Sequence, residues 1–167
     1  MQTSTQKPGG VFAGYSPNEP TPLAGYATLL GIWGAGVGAF TAVYARRLPA
    51  HVSWRDFALM SVATHKLARI VTKDWVTAPI RAPFVRYEKS AGGGEVEEKS
   101  RGRGLRRAIG DLLTCNFCIA PWIAAALGVG FIVQPRATRW LAMIFSAVAV
   151  SDALQHLYSA EKRLAQR

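Results

Sequence analysis

The sequence predicts an all-α fold, an integral membrane bundle of four transmembrane helices in which the second helix is amphipathic. Asp, Glu, Lys and Arg are absent from long stretches at 20–45, 112–134 and 140–151, and the 20 basic residues cluster between these stretches. About 20 helical residues cross the hydrocarbon core of a bilayer, so each of the first two stretches is long enough. The rest of the 167-residue chain is too small and too polar to surround three such helices in a soluble core.

The overall composition excludes two broad classes of protein and one class of partner. Half of the residues are hydrophobic and 18% are charged, a balance that excludes disorder along the whole chain. Two cysteines in 167 residues exclude a small secreted scaffold held by disulfides. The net charge is +10, but Glu95, Glu97 and Glu98 dilute the basic loop and no aromatic residue is interleaved with it from 89 to 107. We therefore expect no nucleic-acid partner.

The N-terminal part of the chain is predicted to be a tail followed by a helix. Residues 1–22 hold four prolines and lack the basic region and cleavage site of a signal peptide, which predicts a flexible cytoplasmic tail. A transmembrane helix is predicted at 23–45. Gly34 and Gly38 in this helix form a small-xxx-small pattern that lets two helices approach closely. The pattern predicts a packing face, within the chain or between two copies, and glycines that merely face lipid are the alternative.

The stretch at 54–75 allows two interpretations. Lys66, Arg69 and Lys73 fall on one helical face, as in an amphipathic helix that lies flat in the membrane interface. Alternatively, the stretch is a transmembrane helix whose basic half snorkels to the headgroups. It is long enough to cross, a tryptophan stands at each end, and these three cations all lie in its C-terminal half. These features favour a span.

Four further segments complete the predicted organisation. Residues 76–108 are expected to form a basic cytoplasmic loop, in which a run of three glycines followed by charged residues is typical of a solvated linker. Transmembrane helices are predicted at 109–134 and at 140–160, the second of which is interrupted by Asp152. The chain ends in a basic tail at 161–167.

The distribution of basic residues predicts the orientation. With four spans, twelve Lys and Arg residues lie on the side of the long loop and both termini, and five lie on the other side. The positive-inside rule therefore predicts a multi-pass protein of the bacterial cytoplasmic membrane with both termini and the long loop in the cytoplasm. Arg46 and Arg47, directly after the first helix, argue mildly against this orientation. If 54–75 lay flat, the N-terminus would move outside, but the loop and the C-terminus would stay cytoplasmic.

The central part of the chain carries a series of distinctive strings. In chain order they are His65–Asp74, Pro79–Phe84, Gly104–Arg106 and Ile109–Cys118, followed by Trp122. Over about residues 54–155 they resemble a family of small bacterial membrane proteins known as domain of unknown function thirteen-sixty, which has a sporulation-associated member. The resemblance supports a span at 54–75 and makes the helix at 23–45 an N-terminal addition. It implies no activity, because the family has none assigned.

Two positions depart from the pattern of that family. Lys66 stands where arginine is usual, and Asp111 stands where glutamate is usual. Both changes keep the charge. A lysine nevertheless lacks the two-pronged contact that arginine makes with a carboxylate or phosphate, so a bidentate contact at position 66 is in doubt.

The spacing of Cys115 and Cys118 places both sulfur atoms on one face of a predicted helix. The pair is a packed pair of reduced thiols, a metal site or a redox pair. A zinc site needs four ligands, which His65, His156 or the cysteines of a second chain would have to complete. A redox pair of the thioredoxin type would follow a strand in a β-α-β pattern, which the sequence lacks. Because the cytosol is reducing, no permanent disulfide is expected and packed thiols are favoured.

Charged residues at or near the predicted membrane depth form a second candidate site, a lipid-binding or ionic face. Such charges are costly in a bilayer, so each is expected to have a partner, and Lys66 or Arg69 with Asp152 is one candidate pair. The face serves as salt bridges that position the helices, as a site for anionic lipid headgroups, or as a transport or proton path. The headgroup site would use Lys73, Arg81, Arg106 and Arg107. The predicted face comprises Lys66, Arg69, Lys73, Asp74, Arg81, Arg106, Asp111 and Asp152.

The sequence holds no Ser-His-Asp arrangement, phosphate-binding loop or paired-carboxylate site. We therefore expect no catalytic residues and no cofactor apart from the zinc considered at the cysteines. The predicted function is association with membrane lipids, in particular anionic ones, with a membrane protein partner or with a second copy of the chain. The alternative is a thiol-based membrane module in which Cys115 and Cys118 bind metal or carry redox chemistry.

Overall fold

The computed structural model describes residues 11–12, 14–16 and 21–165. Most of the predicted tail at 1–22, and the last two residues of the predicted tail at 161–167, lie outside the described residues. Helices account for most of the described chain, and two strands separate the third helix from the fourth. The elements are α1 (Leu23–Tyr44), α2 (Trp54–Lys73), α3 (Ala78–Arg81), β1 (Val85–Gly92), β2 (Glu95–Ser100), α4 (Gly104–Thr114), α5 (Asn116–Val133) and α6 (Pro135–Ala165).

Three of the helices are long and apolar enough to cross a membrane, namely α1, α5 and α6. The fold leaves them largely uncovered. None of the residues in the most apolar 18-residue window of α1 is buried, and only 6% of the corresponding windows of α5 and α6 is buried. The apolar surface of these helices is therefore not used to build a soluble core.

Helix α2 packs against both α5 and α6, which also contact each other. It begins at Trp54, after Ser53, whose side chain accepts a hydrogen bond from the backbone of Asp56 as an N-terminal cap. Near this end, the carboxylate of Asp56 pairs with Arg139 of α6 at 2.7 Å. Farther along, Ser146 Oγ of α6 donates to the Leu59 carbonyl at 3.0 Å. Residue numbers rise in both helices from the first contact to the second, so α2 and α6 run parallel.

Helix α5 runs antiparallel to α2. At the C-terminal end of α2, the hydroxyl of Thr72 donates to the side chain of Asn116, the first residue of α5. At the opposite end, Phe57 of α2 and Phe131 near the end of α5 line the same small cavity. The C-terminus of α2 and the N-terminus of α5 consequently lie at one end of the helical bundle.

The first half of helix α1 attaches it to α4 and α5. A Cβ added to Gly25 would lie 2.8 Å from the Cβ of Ala108 in α4, so the two helices cross closely at this glycine. The indole nitrogen of Trp33 donates to the Pro121 carbonyl of α5 at 3.2 Å. Beyond this point, no described atom lies within 4 Å of a Cβ built on Gly34 or Gly38. The predicted packing face is thus not used within the described chain.

The predicted all-α fold and the solvated linker at 76–108 are corrected by a β-hairpin. Strands β1 and β2 pair antiparallel, and Gly93 and Gly94 form the turn with φ of 60° and 81°. Val85 and Val96 are 3% and 1% exposed, and β2 packs against α4. The linker interpretation fails because each strand carries only one apolar anchor among charged residues, so the local pattern resembles a loop.

The single helix predicted at 109–134 is divided at Cys115. This residue has extended backbone angles, with φ of −108° and ψ of 109°, and it caps the N-terminus of α5. Helix α4 ends directly before it at Thr114. In contrast, α6 is longer than the helix predicted at 140–160, because helical structure begins at Pro135 and continues into the predicted basic tail.

Candidate functional site

A polar cleft of about 600 Å³ lies at the C-terminal end of α2, between α6 and the hairpin turn. Lys66 Nζ of α2 lies 2.7 Å from Asp152 Oδ2 of α6 in this cleft, which is one of the pairings offered by the sequence. The Lys66 side chain is only 12% exposed. The pair therefore ties the two parallel helices together where their surface turns from apolar to polar. Further lining residues with ionisable side chains are His65, Arg69, Asp74, Glu95 and His156.

The hairpin turn closes the other wall of the cleft. Arg69 of α2 forms an ion pair with Glu95, the first residue of β2. The backbone N–H of Trp75 donates to the Gly94 carbonyl at 3.1 Å, and Asp74 forms an isolated β-bridge with Glu95. Glu95 was missed as a site residue, because after a run of glycines it resembles part of a linker. Helix α2 carries more basic than acidic residues. This excess is the sequence signal that could have indicated a carboxylate partner from another element.

The charges of the cleft largely compensate one another. Lys66 is paired with Asp152 and Arg69 with Glu95, and the Asp74 carboxylate adds a further negative charge. An anionic ligand would therefore have to compete with carboxylates for each cation. The ionic face was interpreted as salt bridges that position the helices, as a headgroup site or as a transport path. The paired charges of the cleft agree best with the salt bridges.

Arg81 lies outside the cleft and is fully buried, with a relative exposure of 0%. Its guanidinium forms an ion pair with Glu98 of β2, Nε to Oε2, at 2.5 Å. It also donates to the carbonyls of Val71 at 2.9 Å and Asp74 at 3.1 Å, and to the Thr77 hydroxyl at 2.6 Å. A cation at this position satisfies the free carbonyls at the end of α2 and compensates the helix dipole. Arg81 thus clamps the hairpin to α2.

Two members of the predicted headgroup site are consequently turned inwards. Arg81 is enclosed by its protein partners, so its guanidinium cannot meet a headgroup in this structure. Lys73 is half-buried, and its Nζ donates to the Thr114 carbonyl at the end of α4 at 3.0 Å. Arg81 and Lys73 are therefore removed from the predicted headgroup site, because burial and protein partners keep these two cations from the surface.

Asp111 and Arg106 lie on α4, apart from the Lys66 pair. The Asp111 carboxylate accepts from the Tyr26 hydroxyl of α1 at 2.6 Å and from the Ser100 hydroxyl of β2 at 2.5 Å. Arg107 lies one turn earlier, with its Nε 3.8 Å from Asp111 Oδ2. The predicted ionic face is therefore divided among three places: the cleft, the buried clamp and the surface of α4.

An arginine cluster remains on the surface where β2 passes into α4. Its members are Arg101, Arg103, Arg106 and Arg107, of which the first three are exposed and the last is half-buried. Arg101 and Arg106 both donate to the Pro83 carbonyl, at 3.3 Å and at 2.7 and 3.0 Å respectively. Leu105 stands among them with 46% of its surface exposed. The cluster thus combines cations with an apolar side chain on one surface.

Cys115 and Cys118 are joined by a disulfide, which corrects the favoured interpretation as a pair of reduced thiols. Their Cα atoms lie 5.2 Å apart, within the range that a disulfide spans. The extended backbone at Cys115 brings its sulfur over the first turn of α5, where the Cys118 N–H donates to Cys115 Sγ at 3.2 Å. Cys118 is exposed and Cys115 half-buried.

The described residues around the cysteines do not form a metal centre. Among residues 11–12, 14–16 and 21–165, no group of three or more His, Cys, Asp or Glu side chains is arranged to hold a metal ion. The pair would have to be reduced before its sulfurs could act as ligands, since the ligand is the thiolate.

An apolar groove of about 620 Å³ lies beside the disulfide, between α1 and the start of α5. Cys118 forms part of its wall. Aromatic rings are prominent in the lining, and Tyr26 and Asp111 add one hydrogen-bonded polar pair. The lining residues are Tyr26, Leu29, Leu30, Trp33, Ala108, Asp111, Leu112, Cys118, Pro121 and Trp122.

Comparison with known proteins identifies the family to which the chain belongs. A family model described as "Protein of unknown function (DUF1360)" matches residues 59–158. The chain belongs to the DUF1360 family. Helix α1 lies outside the matched region, whereas the cleft cations, the hairpin, the arginine cluster and the disulfide lie inside it.

Two proteins of Bacillus subtilis (strain 168) are similar to this chain. One, named "Sporulation protein YjcA", is 34% identical over 104 residues, which cover 60% of this chain and 88% of the relative. The other, named "UPF0713 protein YngL", is 29% identical over 104 residues, covering 62% of this chain and 77% of the relative. No solved structure matches the chain.

Proposed function

We propose that this chain is a four-span protein of the bacterial cytoplasmic membrane that acts by association with anionic lipids. The observation that carries the membrane assignment is the uncovered surface of α1, α5 and α6. Burying apolar surface contributes about 25 cal/mol per Å². Helices of this length that the fold leaves bare therefore require an apolar surrounding, which a bilayer supplies.

Helix α2 is the fourth span in this proposal. It is aligned with α6 and antiparallel to α5, so a bilayer that surrounds α5 and α6 also surrounds α2. Three of its charges are compatible with that position because they are paired: Asp56 with Arg139 at one end, and Lys66 with Asp152 and Arg69 with Glu95 towards the other. Pairing lowers the cost of charge near hydrocarbon.

The proposed lipid contact is the arginine cluster at 101–107. It lies at the end of the bundle that holds the hairpin and the start of α5, and α4 runs from there to the first residues of α5. Exposed arginines around an exposed leucine are typical of a surface in the headgroup region. Each such cation attracts an anionic surface by about 1 kcal/mol.

The lipid proposal is tested by the lipids that remain with the purified protein. We expect phosphatidylglycerol to be enriched over phosphatidylethanolamine relative to the source membrane, as measured by mass spectrometry of extracted lipids. Changing Arg101→Gln and Arg103→Gln together should reduce this enrichment on the order of tenfold, because two cations are lost. The matched control changes Arg86→Gln and Lys89→Gln, two cations of β1 whose side chains are 72% and 68% exposed. Equal enrichment in both variants would refute the proposal.

The orientation is tested separately. The proposal puts the hairpin in the cytoplasm, so Ala91→Cys in a background with Cys115→Ser and Cys118→Ser should react with a membrane-impermeant maleimide only after cell lysis. The same label placed at Val52, in the connection between α1 and α2, should react in intact cells. Labelling at position 91 from outside would refute this orientation.

A thiol-based function is the second candidate, and one observation favours its redox form over its metal form. The two cysteines are paired with each other, and the described residues offer no third and fourth ligand. Non-reducing purification followed by elemental analysis distinguishes the two forms. Zinc near one half or one per chain, lost in the Cys115→Ser, Cys118→Ser variant, would restore the metal form.

A further inference from the structure

The disulfide and the apolar groove meet at the first turn of α5, where Cys118 belongs to both. We propose that Cys115 and Cys118 are a two-electron redox couple, and that the groove holds the ring of a lipid-soluble quinone that oxidises their dithiol form. The step is an activity separate from lipid association. It rests on the proposed function in one respect, because a ligand dissolved in the bilayer reaches the groove only if α1 and α5 lie in the membrane.

The surroundings of the cysteines suit reversible chemistry. Cys118 is exposed, so a reagent can reach its sulfur. Cys115 Sγ accepts the Cys118 N–H at 3.2 Å and lies at the N-terminus of the 18-residue helix α5. Free N–H groups and the helix dipole stabilise a thiolate at such a position. Cys115 is therefore the sulfur that is stabilised as a thiolate when the disulfide opens.

The groove suits a quinone better than a charged oxidant. Its volume of about 620 Å³ accommodates a single ring with part of an apolar tail, and Trp33 and Trp122 supply flat apolar surfaces. The Tyr26 hydroxyl and the Asp111 carboxylate, 2.6 Å apart, form a proton-carrying pair in the wall.

The reaction balances in electrons and protons. Cys118, whose residue borders the groove, gives up its thiol proton and adds through Sγ to a ring carbon of the quinone, forming a carbon–sulfur bond. The Cys115 thiolate then attacks Cys118 Sγ, so that the sulfur–sulfur bond forms and the carbon–sulfur bond breaks, leaving its electron pair on the ring. The two thiol protons end on the two quinone oxygens. One dithiol and one quinone thus give one disulfide and one hydroquinone, and an external dithiol restores the reduced state by thiol–disulfide exchange.

The experiment uses the full chain in detergent, reduced with dithiothreitol, desalted and kept without oxygen. Decylubiquinone is the probe, since its fully substituted ring retains no thioether. Free thiols are counted by the gel shift of a maleimide-polyethylene glycol conjugate, and hydroquinone is measured by ultraviolet absorbance. We expect two free thiols to fall to none with one hydroquinone formed per chain. A Cys118→Ser variant, which has a single thiol, should form none.

A blocked groove provides the structural control. Leu30 lines the groove and is 69% exposed, so Leu30→Trp fills the groove without disturbing a packed core. We expect oxidation to be at least tenfold slower in this variant. Leu141→Trp makes the same change on α6 at a residue that is 50% exposed and away from the groove, and it should react at the parent rate. Circular dichroism and a reaction with diamide verify that both variants are folded and can form the disulfide.

The outcomes are decisive in either direction. A parent dithiol that stays reduced for hours with decylubiquinone but closes with diamide would overturn the inference, as would equal rates in Leu30→Trp and Leu141→Trp. Neither result bears on lipid enrichment or topology, which are measured without using the cysteine pair. Conversely, a protein that is extracted from membranes by alkaline carbonate would refute the proposed function while its reaction in detergent could still be measured.

Discussion

Lys66 and Asp152, 86 residues apart in the chain, bring Nζ and Oδ2 to within 2.7 Å and join the parallel helices α2 and α6. The lysine side chain is 12% exposed and the aspartate side chain 42%. Loss of Asp152 would leave a largely enclosed ammonium without a partner, whereas loss of Lys66 would leave a carboxylate that water still reaches.

The first prediction follows from that asymmetry. Asp152→Ala should lower the free energy of unfolding by about 1–3 kcal/mol, because an unpaired charge in a mostly buried site is costly. Lys66→Met should cost less, and the double variant should cost less than the sum of the two. Thermal unfolding in detergent measures all three. Lys89→Ala, which breaks an exposed pair with Glu97, is the control and should change little. Additive effects of Asp152→Ala and Lys66→Met would contradict the coupling.

The second prediction concerns the buried clamp. Arg81→Ala should destabilise the fold by about 3–5 kcal/mol and reduce the abundance of the protein in cells. The change would leave the enclosed Glu98 carboxylate without its ion pair and the carbonyls at the end of α2 without their donor. Arg81→Lys should rescue only part of this loss, because an ammonium cannot reproduce the fork of contacts. Arg86→Ala, at a residue whose side chain is 72% exposed, is the matched control. If Arg81→Ala and Arg86→Ala gave equal abundance, the clamp would have no structural importance.

The third prediction compares two helical glycines. A Cβ at Gly110 would lie 2.6 Å from the Phe84 carbonyl oxygen and 2.8 Å from Ser100 Cβ, so Gly110→Ala should force the hairpin away from α4 and lower the midpoint of unfolding. At Gly128, no described atom lies within 4 Å of the added Cβ. Gly128→Ala should therefore be neutral or stabilise the protein by about 0.5–1 kcal/mol, because alanine loses less backbone entropy in a helix. The same fall in both variants would argue against close packing of the hairpin on α4.

The fourth prediction compares one cation of the ionic face, Arg69, with one cation of the hairpin, Lys99. Arg69→Ala should reduce protease resistance of the hairpin turn, because Arg69 anchors Glu95 beside the end of α2. Lys99→Ala, on the exposed side of β2, should leave it unchanged. Limited proteolysis with a glutamate-specific protease, which would cut after Glu95 and its neighbours, measures the difference. Identical digestion of both variants would show that the turn is held without Arg69.

Local composition was sufficient to predict the long apolar helices. The uncharged runs at 20–45 and 112–134 predict α1 and α5, because helix length and apolar content are properties of neighbouring residues. The spacing of Lys66, Arg69 and Lys73 likewise predicts that they share one face of α2. Their partners were only partly predictable: Asp152 was a candidate because it interrupts an apolar run, whereas Glu95 stands in a segment that resembles a linker.

Only the tertiary structure decided which charged residues are buried and which lie on the surface. Arg81 and Arg106 look equivalent in a basic segment, but one is buried against Glu98 and the other lies on the surface of α4. In the hairpin Val85 and Val96 are buried and β2 packs against α4, a contact that no local pattern encodes. The physical reason is common to these cases: apolar content is a local property, whereas burial and ion pairing depend on residues that the fold brings together from distant parts of the chain.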